Sequence, residues 1–225
     1  MTISGTRTVP LPVTRLQRGT LQDHVFRQCC EMILNGEIAP GQVVTIQALS
    51  DAFGVSAMPV REALQRLIAA KVLAVISSRS IGIPHLTRER LLDLKRVRLE
   101  VESLAAQWAV TRVRSADLAK MENLVEQMGR AAVADRKEYV RCNREFHFAI
   151  YRAAGSDVLY SIIETLWLQI SPYFHLLHDS GNYRTANAQH ELVLRSLMAG
   201  DERAVGQGIR DDIEAASKVL LCLLD

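Results

Sequence analysis

The sequence predicts a mostly α protein in two parts: a small helical head closed by a β-hairpin, and an all-α bundle behind it. Three observations carry this. Ala, Leu, Val and Arg recur at helical rather than alternating spacing through most of the 225 residues. Aromatic residues make up only 5% of the chain. Finally, β-branched residues gather around a Ser/Arg/Gly tip in the stretch "VLAVISSRSIGIP", the pattern of a hairpin. With 48% apolar and 23% charged residues the composition is that of an ordinary globular protein.

The elements follow in order. Residues 1–19 hold Arg7, Arg15 and Arg18 with Pro10 and Pro12 and no continuous apolar core, so they read as a mobile arm rather than a signal peptide. Leu21, Val25, Cys29, Met32 and Ile33 mark a helix from Leu21 to about Asn35. "NGEIAPGQVV" then reads as a loop, with two glycines and a proline in a short span. Thr45 N-caps a short helix that Gly54 stops. Ser56 caps the next helix, which runs to about Ala70. Pro59 sits in its first turn, where a missing N–H costs nothing. Three helices and a hairpin describe a winged helix-turn-helix over residues 20–87. After Thr87 the pattern is helical almost to the end. Breaks near Ser115, Ala134–Asp135, Gly155–Ser156, Gly181–Asn182 and Gly200 divide 88–225 into about six helices.

Charge and cysteine usage bound the partners. The net charge is +2, split as +3 over residues 1–87 and −1 over 88–225, which favours the head as the home of an anionic partner. Cys29, Cys30, Cys142 and Cys222 follow no metal-knuckle spacing and read as free thiols in a reducing cytoplasm. No run approaches the ~18 apolar residues of a spanning helix, so a soluble cytoplasmic protein without a membrane partner is expected.

On the helix that begins after Ser56, a stripe of Val60, Ala63, Leu64, Leu67 and Ile68 must face the core. Met58, Glu62, Gln65 and Arg66 fall on the far side, with Arg61 on a flank, and Met58 and Arg66 join Ser56, Arg61, Gln65 and Arg79 as expected DNA contacts. A helix buried on one face can enter a major groove N-terminus first. There Arg61 can fork to guanine or phosphate, and Gln65 can read an adenine edge. Ser56 and the free N–H groups of the first turn suit a phosphate oxygen. Arg79 at the hairpin tip can reach the neighbouring groove. The competing reading is a merely solvated helix face.

"IAPGQVV…LSDAFGVSAMPVREALQRLIAAKVL" resembles the winged-helix domain of the GntR family of bacterial transcription regulators. The family run PG-x-x-L, then SR-x-PVREAL-x-x-L, is matched at Pro40–Gly41, Ser56, all of Pro59–Leu64, and Leu67. The resemblance implies a homodimer that sets two reading helices on a pseudo-palindromic double-stranded operator, with Arg61 and Arg79 as DNA contacts. Two positions depart: Ala57 stands where the family has arginine, and Ser80 where the wing has glycine. The departure at Ala57 implies an altered operator or weaker binding.

The second half carries polar residues where a core belongs. Asn143 and His147 share a narrow sector with Tyr139, Phe146 and Ile150. His190 lies among Ala186, Val193, Leu194 and Leu197. Asp212 shares a stripe with Val205, Gly208, Ile209, Ala216 and Val219, and Arg98, with Glu102 beside it, shares one with Leu91, Leu94, Val101 and Ala105. Five polar groups on four helices aimed inward must meet one another, a metal or a ligand. Two imidazoles, a carboxylate and an amide oxygen suit a divalent first-row ion such as Zn²⁺, Ni²⁺ or Mn²⁺. An arginine beside them suits a small organic acid. The rival is a metal-free pocket that hydrogen-bonds its effector directly.

"VRLEVESLAAQWA", "NREFHFAIYRAAGS" and "QHELVLRSLMAGD" resemble the FCD ligand-binding domain, found with the winged helix in the FadR-type branch of that family. The resemblance implies an effector-binding and dimerisation domain over 88–225. Its metal would be held at Asn143, His147, His190 and Asp212, and its carboxylate effector at Arg98, Asn143, His147 and His190. The family's acid is Asn143 here, and its last histidine is Asp212, so the anion moves from one end of the ligand set to the other. An enzyme is not expected: the chain has no Glu-x-x-His pairs, no H-E-x-x-H and no nucleophile–base pair. A constitutive DNA-binding dimer, with a bundle that only dimerises, is the remaining alternative.

Overall fold

The computed structural model describes residues 21–77, 80–177 and 182–224. The expected arm over 1–19 and the wing-tip Arg79 lie outside the described residues. The head is built from α1 (Leu21–Leu34), β1 (Val43–Val44), α2 (Ile46–Phe53), α3 (Ala57–Ala69), β2 (Ala74–Ser77) and β3 (Ser80–Gly82). Thr45 caps α2 as its sequence position implies, its hydroxyl accepting the Ala48 N–H at 3.1 Å, and Gly54 ends α2 in the left-handed region at φ 65°. Val60, Ala63, Leu64 and Leu67 bury the inner face of α3 completely.

The sheet and one helix cap of the head differ from the sequence reading. The sheet has three strands, in the order β1-β3-β2, because part of the expected loop pairs antiparallel with β3. A two-residue strand shows no alternation; its pairing is a tertiary event. Gly82 permits it, since a Cβ there would stand 2.5 Å from the Gln42 carbonyl oxygen. Ser56 does occupy the N-cap position of α3, but its hydroxyl accepts no helix N–H.

The bundle comprises α4 (Arg88–Ala109), α5 (Ser115–Ala134), α6 (Arg136–Ala153), α7 (Asp157–Ile170), a 3₁₀ segment (Ser171–Leu177), α8 (Asn182–Ala199) and α9 (Glu202–Cys222). The expected breaks all fall at helix ends, with Asp135, Ser156 and Asp201 each accepting a first-turn N–H. The 3₁₀ segment was not expected. It follows α7 directly and contains Pro172, whose missing N–H weakens any continuing α-ladder.

Helix α9 packs along α4 and α8, and α5 packs along α6 and α8. At Gly208 a Cβ would meet Val193 at 2.6 Å, so this glycine sets how closely α9 approaches α8. The head joins the bundle through specific polar contacts. Gln169 donates to the Ala70 carbonyl (3.1 Å), Tyr173 donates to the Pro84 carbonyl (2.5 Å), and Arg144 pairs with Glu31 (2.8 Å). Within the head, Arg66 pairs with Asp23 at 3.1 Å and lies over the Phe26 ring at 3.6 Å.

Candidate functional site

The inward-pointing residues of four helices meet. His147 on α6 and His190 on α8 are 1% and 0% exposed, and Asp212 on α9 is mostly buried. The two Nε2 atoms stand 3.2 Å apart, and Asp212 carboxylate oxygens lie 3.4 Å from His147 Nε2 and 3.5 Å from His190 Nε2. One ligand atom from each of the three lies within 4.8 Å of the others. The close approach of α8 and α9 at Gly208, one turn before Asp212, is what allows this.

Behind His147 runs a buried chain of hydrogen bonds that fixes its tautomer. Glu102 is fully buried and accepts from Arg98 Nε (2.6 Å), from the Tyr151 hydroxyl (2.6 Å) and from the Trp167 indole N–H (3.1 Å). Tyr151 has spent its only proton on Glu102, so its oxygen accepts from His147 Nδ1 at 3.2 Å. His147 Nδ1 therefore carries the proton, and its Nε2 lone pair faces His190 and Asp212. Burial, partly opposed by Asp212, pulls the His147 pKa down to about 3, so the ring is neutral. Burial pushes the Asp212 carboxyl up, but a hydrogen bond from His190 and the charges around it win, and it stays below its ordinary value.

This donor set fits a divalent ion. Two nitrogens, each about 2.0–2.1 Å from one ion, stand roughly 2.8–3.0 Å apart in octahedral and 3.3–3.4 Å apart in tetrahedral coordination, and the observed 3.2 Å lies between the two. The ring orientation comes from an outer hydrogen-bond partner, as metal-binding histidines require. His190 Nδ1 has no such partner among the described residues. Asn143 and Arg98 line the same cavity with Tyr139, Trp167, Phe174 and Tyr183, and Tyr139 and Tyr183 stack at 3.9 Å. The space is small, ≈ 30 Å³, close to the share of one water.

All the expected residues of this cavity lie together, with one difference of role. Arg98 is held by Glu102 and does not stand as a bare cation. The sequence reading missed Tyr151 and Trp167. Tyr151 follows His147 at i+4 and so shares its face, but a tyrosine there reads as ordinary core.

On the head, Ser56, Arg61 and Gln65 are exposed and Met58 is 60% exposed, all on the outer face of α3. Arg66 differs from the sequence expectation, since its guanidinium turns back onto α1. No helix among the described residues is long and apolar enough to cross a membrane.

Comparison with known proteins agrees with this division. The family model for gntR bacterial regulatory proteins matches residues 21–83, and that for the FCD domain matches 93–215. The HTH-type transcriptional regulator McbR of Escherichia coli is 31% identical over 171 residues, 74% of this chain and 77% of that protein. BphR of Paraburkholderia xenovorans, also an HTH-type transcriptional regulator by name, is 26% identical over 222 residues, 94% of this chain and 89% of that one. Among solved structures, E. coli McbR/YncC superposes with a TM-score of 0.84, covering 92% of this chain and all of the other at 26% identity. A GntR protein from Rhodococcus, 22% identical with a TM-score of 0.72 over 88% of this chain and 97% of its own, shares the fold. These relatives are regulators, not enzymes. With both halves matched in the same order, one assignment follows: the chain belongs to the GntR family of transcription regulators and carries an FCD domain.

Proposed function

We propose that this regulator binds its operator as a homodimer and that a small carboxylate, held with a divalent first-row ion in the buried cavity, controls that binding. The observation that carries the reading is the convergence of His147 Nε2, His190 Nε2 and Asp212 within one coordination sphere. These three would hold the ion, with Asn143 adding its side-chain oxygen. A bound ion supplies a positive centre for an acid's carboxylate. Arg98 orients that carboxylate from the side, and the apolar walls of Trp167, Phe174 and Leu177 exclude water. Because the space is only ≈ 30 Å³, the acid enters by displacing the wall.

That wall gives the coupling a route. Trp167 on α7 and Phe174 and Leu177 in the 3₁₀ segment line the cavity, while Gln169 and Tyr173 between them hold the Ala70 and Pro84 carbonyls of the head. An acid that moves the wall moves the head, and its effect equals its differential affinity for the two arrangements. On DNA, Arg61 and Gln65 would read base edges. Ser56 would bond a phosphate, its hydroxyl taking no part in the helix cap. Dimerisation is supported by an exposed apolar stripe on α4, where Val97, Leu104 and Trp108 remain 37–42% exposed. Work on operator DNA implies the cytoplasm.

The test pairs elemental analysis of the purified protein with operator gel shifts against a panel of small acids. A stoichiometric divalent metal that is lost in His147→Ala, and at least one acid that changes operator affinity, are expected. A protein free of metal at full occupancy conditions refutes the ion, and indifference to every acid leaves a constitutive binder.

A further inference from the structure

A second cleft, of ≈ 90 Å³, lies between head and bundle on the far side of Val140 from the first cavity. Its polar lining comes from the turn after α1 (Asn35), the first turn of α6 (Arg136, Lys137) and the 3₁₀ segment (Ser171, His175). The volume is that of about three waters.

Two buried atoms in it lack partners. Ser171 is only 2% exposed, and its Oγ makes no hydrogen bond among the described residues. Asn35 Oδ1 is likewise buried and unpartnered, while its Nδ2 donates to Glu37 at 3.5 Å. A buried polar group left unpaired costs about 1–3 kcal/mol, so both atoms call for a partner within the cleft. His175 Nδ1 donates to the Pro172 carbonyl at 2.7 Å, which leaves Nε2 as an acceptor. Arg136 and Lys137 have no acidic partner within salt-bridge distance among the described residues.

The cleft therefore offers donors from Ser171, Arg136 and Lys137, and acceptors from Asn35 Oδ1 and His175 Nε2. Water alone would make no use of the two exposed cations, Arg136 and Lys137, at the cleft. A simple anion such as sulfate, with no proton of its own at neutral pH, would leave the acceptors unmet. We infer that this cleft binds an oxyanion that also carries a hydroxyl, hydrogen phosphate being the simplest, and that the bound ion clamps the head to the bundle. The site is distinct from the ion-and-acid cavity and does not depend on it. The 3₁₀ segment is common to both, with Ser171 and His175 facing the cleft and Phe174 and Leu177 facing the cavity.

The experiment is calorimetric titration of the full chain with inorganic phosphate, sulfate and glycerol phosphate, with melting followed in parallel. Saturable phosphate binding is expected, weakened about tenfold in Ser171→Ala and at least as much in Arg136→Gln with Lys137→Gln. Sulfate should bind more weakly than phosphate by a similar factor. Phosphate should raise the melting temperature of the parent but not of Ser171→Ala, a variant that loses only an unpartnered hydroxyl and so keeps its fold. Tighter binding of glycerol phosphate than of phosphate assigns the site to a phosphorylated metabolite, and the reverse assigns it to the free ion. No saturable phosphate binding, or unaltered binding in both variants, overturns the inference. Equal binding of sulfate overturns the requirement for a hydroxyl.

Discussion

The head and the bundle use the same helical period to opposite ends. In the head, α3 turns its apolar stripe in and leaves Ser56, Met58, Arg61 and Gln65 in solvent, so whatever these residues recognise comes from outside. In the bundle, Arg98, Glu102, His147, His190 and Asp212 point in and meet one another, so the ligand proposed for them would have to enter the core. The difference teaches how to read polar residues on amphipathic helices. Outside the stripe they suggest a macromolecular partner, and inside it a small one.

Mutations at the two places should fail differently. The largest loss is expected for Glu102→Ala, which strands a buried guanidinium and removes the acceptor of Tyr151 and Trp167, at about 3–5 kcal/mol in urea unfolding. A cost near that of an ordinary surface change would break the contrast. Gly208→Ala should cost about 1–3 kcal/mol through overpacking against Val193, and should loosen metal affinity by separating His190 from Asp212. Arg61→Ala should leave unfolding within ~0.5 kcal/mol of the parent, yet weaken operator binding by about 1–3 kcal/mol in a gel shift.

A smaller effect is expected between the two regions. Tyr173→Phe should leave operator affinity nearly unchanged without acid, and reduce the acid's effect on it by roughly 0.5–2 kcal/mol. Smallest is a matter of thiol rates. Burial pushes Cys29 and Cys142 up to about 11 and Cys30 up to about 12, so iodoacetamide at pH 8 should label the exposed Cys222 first in peptide mapping.

The sequence made most of this architecture legible, because caps and stripes are local. Thr45, Gly54, Asp135 and Gly200 end or begin helices where their side chains and backbone preferences require it. The inward row at 98, 143, 147, 190 and 212 was visible for the same reason. What escaped was long-range. Strand β1 exists only because Gly82 lets a partner strand approach. Arg66 is drawn to Asp23, 43 residues away, and the tautomer of His147 is decided, through its neighbour Tyr151, by Glu102 on another helix, 49 residues from Tyr151. No local spacing encodes such meetings.

The tie between Arg66 and α1 constrains how a signal can be expressed. The reading helix is fastened to its neighbour by an ion pair and a ring, and that neighbour is tied to α6 by Glu31 and Arg144. Helices α1 and α3 are therefore expected to move together. In the proposed homodimer, induction would then act on the separation and tilt of the two heads relative to the helical repeat of DNA. The side chains that choose the bases stay as they are, so an inducer would alter occupancy without altering which promoter is preferred.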